Sequence, residues 1–141
     1  MTFRWLQVPG DCSAVYNIRV EVFVKEQGFS REFDATDAVC HHLLCEVDGV
    51  PAGCARIFPD EREGCWHIGR VAVLPEFRGT GLGLRLMEAC HEKIAALGGR
   101  AAVLSAQCRA AGFYEKAGYQ IISDEYMDEH CPHVDMLRPI R

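Results

Sequence analysis

No apolar run in this chain approaches the roughly 18 residues needed to span a bilayer, so nothing in it reads as a membrane span. The start, Met1-Thr2-Phe3-Arg4-Trp5, lacks the long apolar core of a signal peptide. The eight cysteines, at 12, 40, 45, 54, 65, 90, 108 and 131, include no Cys-x-x-Cys pair. Most interrupt apolar runs as small hydrophobes do, so the expectation is reduced thiols in a cytoplasmic protein, with no zinc site. Basic charge is also scarce. A net charge of −5 and a pI near 5.6 argue against a nucleic-acid binder, which needs positive charge to neutralise phosphates. Internal repeats and low-complexity segments are absent.

What the chain does have is ordinary globular material: 49% hydrophobic and 25% charged residues, enough to exclude wholesale disorder. Its 141 residues suit one domain, 1–141, that buries about two-thirds of its unfolded surface. Loose alternation in Phe3, Trp5 and Leu6 before Pro9-Gly10 reads as a first strand. Capped by Asp11 or Ser13, one amphipathic helix carries Val15, Ile18, Val22 and Phe23. Residues 28–38 form a polar loop or one short helix. Residues 42–47 and 52–58 are strands joined at Asp48-Gly49, a strong hairpin signal.

The chain is organised around residues 66–99. A compact apolar run, 67–74, reads as a buried strand, and Arg78-Gly79-Thr80-Gly81-Leu82-Gly83 as a tight turn into a helix. Leu86, Met87, Cys90, Ile94 and Leu97 fall on one face of that helix, opposite Arg85, Glu88 and Glu92, and Gly98-Gly99 stops it. The first N–H groups of a helix lack intrahelical partners and sit at the positive end of its dipole, and glycines let an anion approach them. Spacing excludes two known fingerprints: Leu84 stands where a dinucleotide motif needs glycine, and the Gly-Lys-Ser/Thr ending of a P-loop is absent. By itself the turn is equally well a strand-to-helix connection whose glycines relieve crowding. A strand at 101–106, a helix over 108–117, closing strands at 119–122 and 134–137 and an acidic loop at 124–129 complete the order β-α-β-β-β-α-β-α-β-β, a mixed α/β sheet with flanking helices.

Residues 78–83 resemble the Arg/Gln-x-x-Gly-x-Gly/Ala signature of the GNAT superfamily of N-acetyltransferases, and Leu104-Ser105-Ala106-Gln107 with residues 112–119 resemble its next strand and tyrosine-bearing helix. Residues 19–27 and Pro132-His133-Val134-Asp135-Met136 look like its small bacterial branch typified by ElaA and YjcF. The resemblance implies the acyl-CoA N-acyltransferase fold, a single mixed and mostly antiparallel sheet. It implies transfer of an acetyl group from acetyl-CoA to a primary amine by direct attack on the thioester, without metal. It places the pantetheine arm beside Val71, Ala72 and Val73, and the pyrophosphate on Arg78, Gly79, Thr80, Gly81, Leu82, Gly83 and Leu84, with Gln107 also on the cofactor side.

Tyr114 matches the family's general acid; a phenol of reference pKa about 10 is a sensible donor to a thiolate of about 8 to 9. A packing tyrosine is the structural alternative, since Ala111 and Ala117 flank it. For the base the sequence offers His133, Glu26, His42 and the acidic loop, and His133 is preferred for its reference pKa near 6.5 and its place before the last strand. His130 and His133 make a poor metal pair. Arg19, Phe23, Glu26 and Gln27 are acceptor-side candidates: Arg19 to clamp a carboxylate or phosphate, Glu26 to accept an ammonium, with intrahelical or loop salt bridges as the alternative. The expected acceptor is a small amine. A protein or peptide acceptor and a non-catalytic acyl-CoA sensor are the rival readings, and a homodimer is carried over from the family.

Overall fold

Asp48 and Gly49 take φ of 50° and 78° and fold β2 (His41–Val47) antiparallel onto β3 (Val50–Pro59), the geometry that a two-residue Asp-Gly turn favours. The computed structural model describes residues 1–140. β1 (Thr2–Leu6) pairs antiparallel with β2, and β4 (Cys65–Val73) with β3. The chain crosses over through α2 (Leu82–Ala96) and returns as β5 (Ala101–Gln107), parallel to β4. After α3 (Ala111–Lys116) come β6 (Gln120–Ile121), β7 (Tyr126–Asp128) and β8 (Cys131–Pro139). The strand order is β1-β2-β3-β4-β5-β8-β6, with β7 also on β8, an eight-stranded mixed and mostly antiparallel sheet.

Successive side chains of a strand face opposite ways, and each face has its own helix. Leu43, Ile57, Ile68, Leu104 and Met136 pack against Leu86, Met87, Cys90 and Ile94 of α2. Leu44, Cys54 and Ala72 pack on the other face against Val15 and Ile18 of α1 (Ser13–Arg19) and Val22 of the π-helical turn Val20–Glu26 that continues it. Backbone bonds from Gly98 to Ala95 (3.0 Å) and from Gly99 to Ile94 (2.8 Å) close α2, the pairing of a glycine-terminated helix.

Several boundaries differ from the sequence reading. The first helix changes winding at Val20, and the helix expected over 108–117 is a 3-10 turn, Cys108–Ala110, followed by the six residues of α3. Residues 124–129 are not all loop, because three of them pair with β8 as β7. Since β8 starts at Cys131, Pro132 lies inside the strand and His133 is its third residue rather than standing before it. Leu97, expected on the apolar stripe, is the exposed cap residue of α2.

Candidate functional site

β4 and β5 pair at three positions, Cys65 to His67 against Ala101 to Val103, and then part. Beyond that point β4 stays on β3 and β5 stays on β8, so the facing edges of the two strands separate. The cause is local. The pairing of β4 with β3 slips by one residue between Gly69 and Ala72, and Arg70 takes φ of 51°, a left-handed conformation rare for a residue with a Cβ. The opening is a cleft of about 820 Å³ lined by Ile68, Gly69, Arg70 and Val71 on one wall and Leu104, Ser105 and Gln107 on the other. Val71 and Val73 are half-buried along the β4 edge, whereas the Ala72 side chain turns into the α1 core.

The glycine turn stands at the end of β4. Gly79 and Gly81 have φ of 79° and 80°, Thr80 Oγ1 donates to the Phe77 carbonyl (2.8 Å), and Gly81 is the N-cap of α2. The first backbone bond of the helix is Arg85 N to Gly81 O (3.2 Å), so the N–H groups of Leu82, Gly83 and Leu84 have no intrahelical acceptor. Leu82 anchors the turn in the core while the Leu84 side chain is exposed. Arg78 is not idle. Its Nε donates to the Val73 carbonyl (2.9 Å), and Nη1 and Nη2 bond Glu26 at 2.8 and 2.6 Å. The Glu26 carboxylate, expected open to an ammonium, is thus occupied, and the bonds from Arg78 hold its pKa below the ordinary glutamate value.

Tyr114 and His133 both line the cleft. Tyr114 reaches it from the α2 side, between Phe113 and Tyr119 at ring distances of 5.0 and 6.0 Å, and its hydroxyl has no hydrogen-bond partner among the described residues. Burial pushes this phenol up to about 12, so it stays protonated at neutral pH. His133 is buried opposite Gln107 in the β5–β8 register. Its Nδ1 lies 2.9 Å from the Cys131 carbonyl, which can only accept, so in the neutral ring Nδ1 carries the proton and Nε2 the lone pair. The ring is held between Tyr126, its partner across β7, and Phe29. His42, the other histidine considered as a base, is fully buried on the Asp37 carbonyl, and it does not line the cleft.

Phe23 and Gln27 line the cleft with Glu26, but Arg19 does not. Arg19 is fully buried, and its Nε, Nη1 and Nη2 bond the Glu32 and Asp37 carboxylates and the Glu32 carbonyl at 2.6 to 3.1 Å. The clamp expected there is spent inside the protein: Arg19 fastens residues 29–40 to the helix. Arg56 and Arg70 join the same cluster through Asp34, Asp37 and Glu32. Asp37, Cys40 and His42 bring ligand-type atoms within 4.8 Å of one another, yet the Asp37 carboxylate is already held by two guanidinium groups. A second tie was invisible in the sequence: Glu129 accepts from Ser30 N, Ser30 Oγ and Arg31 N, across 98 and 99 residues. His130 Nε2 donates to the Gln27 carbonyl (2.8 Å), and Gln27 Oε1 accepts from Gln107 Nε2 (2.8 Å), whose own Oε1 accepts from Arg109. These bonds join the end of the first helix to β5 across the cleft.

A parted parallel strand pair, with a glycine turn and an open helix N-terminus at its end, defines the acyl-CoA N-acyltransferase class of fold. Residues 11–138 match the family described as the acetyltransferase (GNAT) domain, and the chain belongs to that family. Among its relatives, a Bacillus subtilis protein named uncharacterized N-acetyltransferase YjcF is 35% identical over 127 residues, covering 87% of this chain and 89% of that one. The crystal structure of Escherichia coli ElaA superposes with a TM-score of 0.84 at 26% identity, covering 97% of this chain and 99% of that one. An aminoglycoside 6'-N-acetyltransferase complexed with coenzyme A shares the fold alone, with a TM-score of 0.77 at 14% identity over 100% of this chain and 98% of that one. The resemblance read from residues 78–83 and 112–119 therefore holds.

Proposed function

We propose that this chain transfers an acetyl group from acetyl-CoA to a primary amine on a small molecule, by direct attack of the amine on the thioester. The observation that carries the reading is the free β4 edge running from the bulge at Arg70 into the glycine turn. Backbone groups there match a ligand with amides along its length and phosphates at one end. Val71 and Val73 lie along the pantetheine arm, and Arg78 to Leu84 cradle the pyrophosphate, with N–H groups of the helix start as donors. Gln107, bonded to Gln27, borders the arm on the opposite wall. A relative of the same fold complexed with coenzyme A supports this choice of ligand.

In this reading His133 Nε2 takes a proton from the attacking ammonium or amine, and Tyr114 gives one to the departing thiolate. Both groups line the cleft, the histidine with Nδ1 tied to the Cys131 carbonyl and the phenol kept neutral by burial. Phe23 and Gln27 border the same cleft from the first helix.

Calorimetric titration with acetyl-CoA, with ATP and NAD as phosphate-bearing controls, tests the reading before any acceptor is known. Micromolar binding selective for acetyl-CoA is the expected result. Absence of binding to folded protein overturns it.

A further inference from the structure

In the proposed cofactor site two partners compete for Arg78. The pyrophosphate cradle calls for its guanidinium, yet the side chain lies against the end of β4 and is held at three points. Nε donates to the Val73 carbonyl at 2.9 Å, and Nη1 and Nη2 donate side by side to the two carboxylate oxygens of Glu26 at 2.8 and 2.6 Å. The position of that carbonyl matters. The Leu74 N–H bonds the Ala52 carbonyl of β3 at 2.9 Å, and across a trans peptide the Val73 carbonyl points the opposite way, toward the edge that parts from β5. It is therefore one of the backbone groups that a pantetheine amide along Val71 and Val73 would use. The Arg78 side chain covers that group, and its charge is matched by Glu26 rather than by a phosphate.

Glu26 comes to this pair from the first helix. It is the last residue of the π-helical turn Val20–Glu26, and the next residue, Gln27, accepts from Gln107 Nε2 of β5 at 2.8 Å. Two adjacent residues thus tie the turn to opposite walls of the cleft. The ties differ in kind. Gln27 is held by neutral bonds, through its side chain to Gln107 and through its carbonyl to His130. The Glu26–Arg78 tie is ionic, and both side chains are 41% exposed, so water screens the pair and leaves it weak. Arg109 lies near Glu26 and Glu76 near Arg78, but neither bonds the pair among the described residues. A pyrophosphate at the helix start offers more charge and more acceptor oxygens to a guanidinium than one screened carboxylate does.

We propose that the Glu26–Arg78 pair is a latch across the cofactor slot: on binding of acetyl-CoA, Arg78 leaves Glu26 and the Val73 carbonyl for the pyrophosphate. The inference rests on the acetyltransferase reading and deepens it with a competitor for the cofactor built into the chain. Opening the latch frees the Val73 carbonyl for an amide of the pantetheine arm and leaves the Glu26 carboxylate without Arg78 on the cleft wall. Gln27 keeps the turn tied to β5 throughout, so the change is confined to the side chains of Arg78 and Glu26.

A competitor is recognised by the sign of its effect. Glu26→Gln removes the charge that holds Arg78, and acetyl-CoA is expected to bind about 2- to 5-fold more tightly in calorimetric titration, the range set by an exposed ion pair. A glutamate that merely positions Arg78 for the phosphate would give weaker binding instead. Loss of one negative charge near a polyanion also tightens binding without a latch, so the substitution is repeated in an Arg78→Gln background. There the gain disappears if it acts through Arg78 and persists if net charge alone matters. Weaker or unchanged binding by Glu26→Gln, or a gain that persists without Arg78, overturns the proposal. The unaltered protein supplies a second measurement. The bonds from Arg78 hold the Glu26 carboxyl below the ordinary glutamate value, and its ¹³C titration is expected to move up toward that value when coenzyme A saturates the protein; an unmoved titration overturns the proposal as well. Failure of the unaltered protein to bind acetyl-CoA at all would instead remove the acetyltransferase reading itself.

Discussion

At the scale of single residues, each proposed role is tied to one atom. Replacing Tyr114 by Phe deletes the hydroxyl that faces the cleft and no hydrogen bond among the described residues. Turnover is expected to fall about 10²- to 10⁴-fold, the usual worth of a positioned acid, with acetyl-CoA affinity and melting temperature nearly unchanged. An unaltered rate would leave Tyr114 as packing. For His133 the tautomer itself is observable, because the Cys131 carbonyl forces the proton onto Nδ1. Long-range ¹H–¹⁵N spectra of the intact protein are expected to place the proton of the neutral ring on Nδ1; the opposite tautomer would leave Nε2 with no lone pair for the amine. At Gly81 the φ of 80° is open to glycine and hostile to a β-branched residue. Gly81→Val is expected to cost about 1–3 kcal/mol of stability and to weaken acetyl-CoA binding at least tenfold, read by denaturant titration and calorimetry.

At the scale of elements, the segment from Gly28 to Cys40 owes its place to ions rather than to regular structure. Arg19, Arg56 and Arg70 meet Glu32, Asp34 and Asp37 under it, and Glu129 holds its start. Burial alone would raise the Asp37 carboxyl, but bonds from Arg19 and the Asp34 N–H, with the nearby guanidinium charges, hold it at about 2. A carboxylate whose pKa is lower folded than unfolded contributes stability that is fully present above the unfolded value and lost as pH falls through the folded one. About 2 kcal/mol is therefore expected to disappear between roughly pH 4 and pH 2. Asp37→Asn removes that acid dependence and destabilises at neutral pH by about 3–5 kcal/mol, because Arg19 and Arg56 are left buried with a neutral partner. Denaturant titrations of both proteins across that range check both statements, and parallel slopes would refute them.

For the whole molecule, the cleft lies where two halves of one sheet part, so a ligand that fills it binds only the folded chain. At one hundred times its dissociation constant, acetyl-CoA is expected to add about 2.7 kcal/mol and raise the melting temperature by roughly 7–11 °C, measurable by calorimetry. The order of elements was legible in the sequence, because periodicity, the Asp-Gly hairpin and the glycine stops are local signals, and so was the turn at 78–83. β7 was not: Tyr126 to Asp128 carry no alternation and form a strand only because β8 offers an edge. Arg19, weighed as a clamp or a loop salt bridge, proved the latter, which the sequence could not decide because its partners lie 13 and 18 residues on in an irregular segment. The β4 bulge at Arg70 was missed, because nothing in the local sequence demands a positive φ there and only the pairing with β3 imposes it. Local backbone preference, written in neighbouring residues, thus determined the elements and the glycine turn. Long-range pairing and burial, which no short stretch encodes, decided which charges are spent inside the protein and which donors are left facing the cleft.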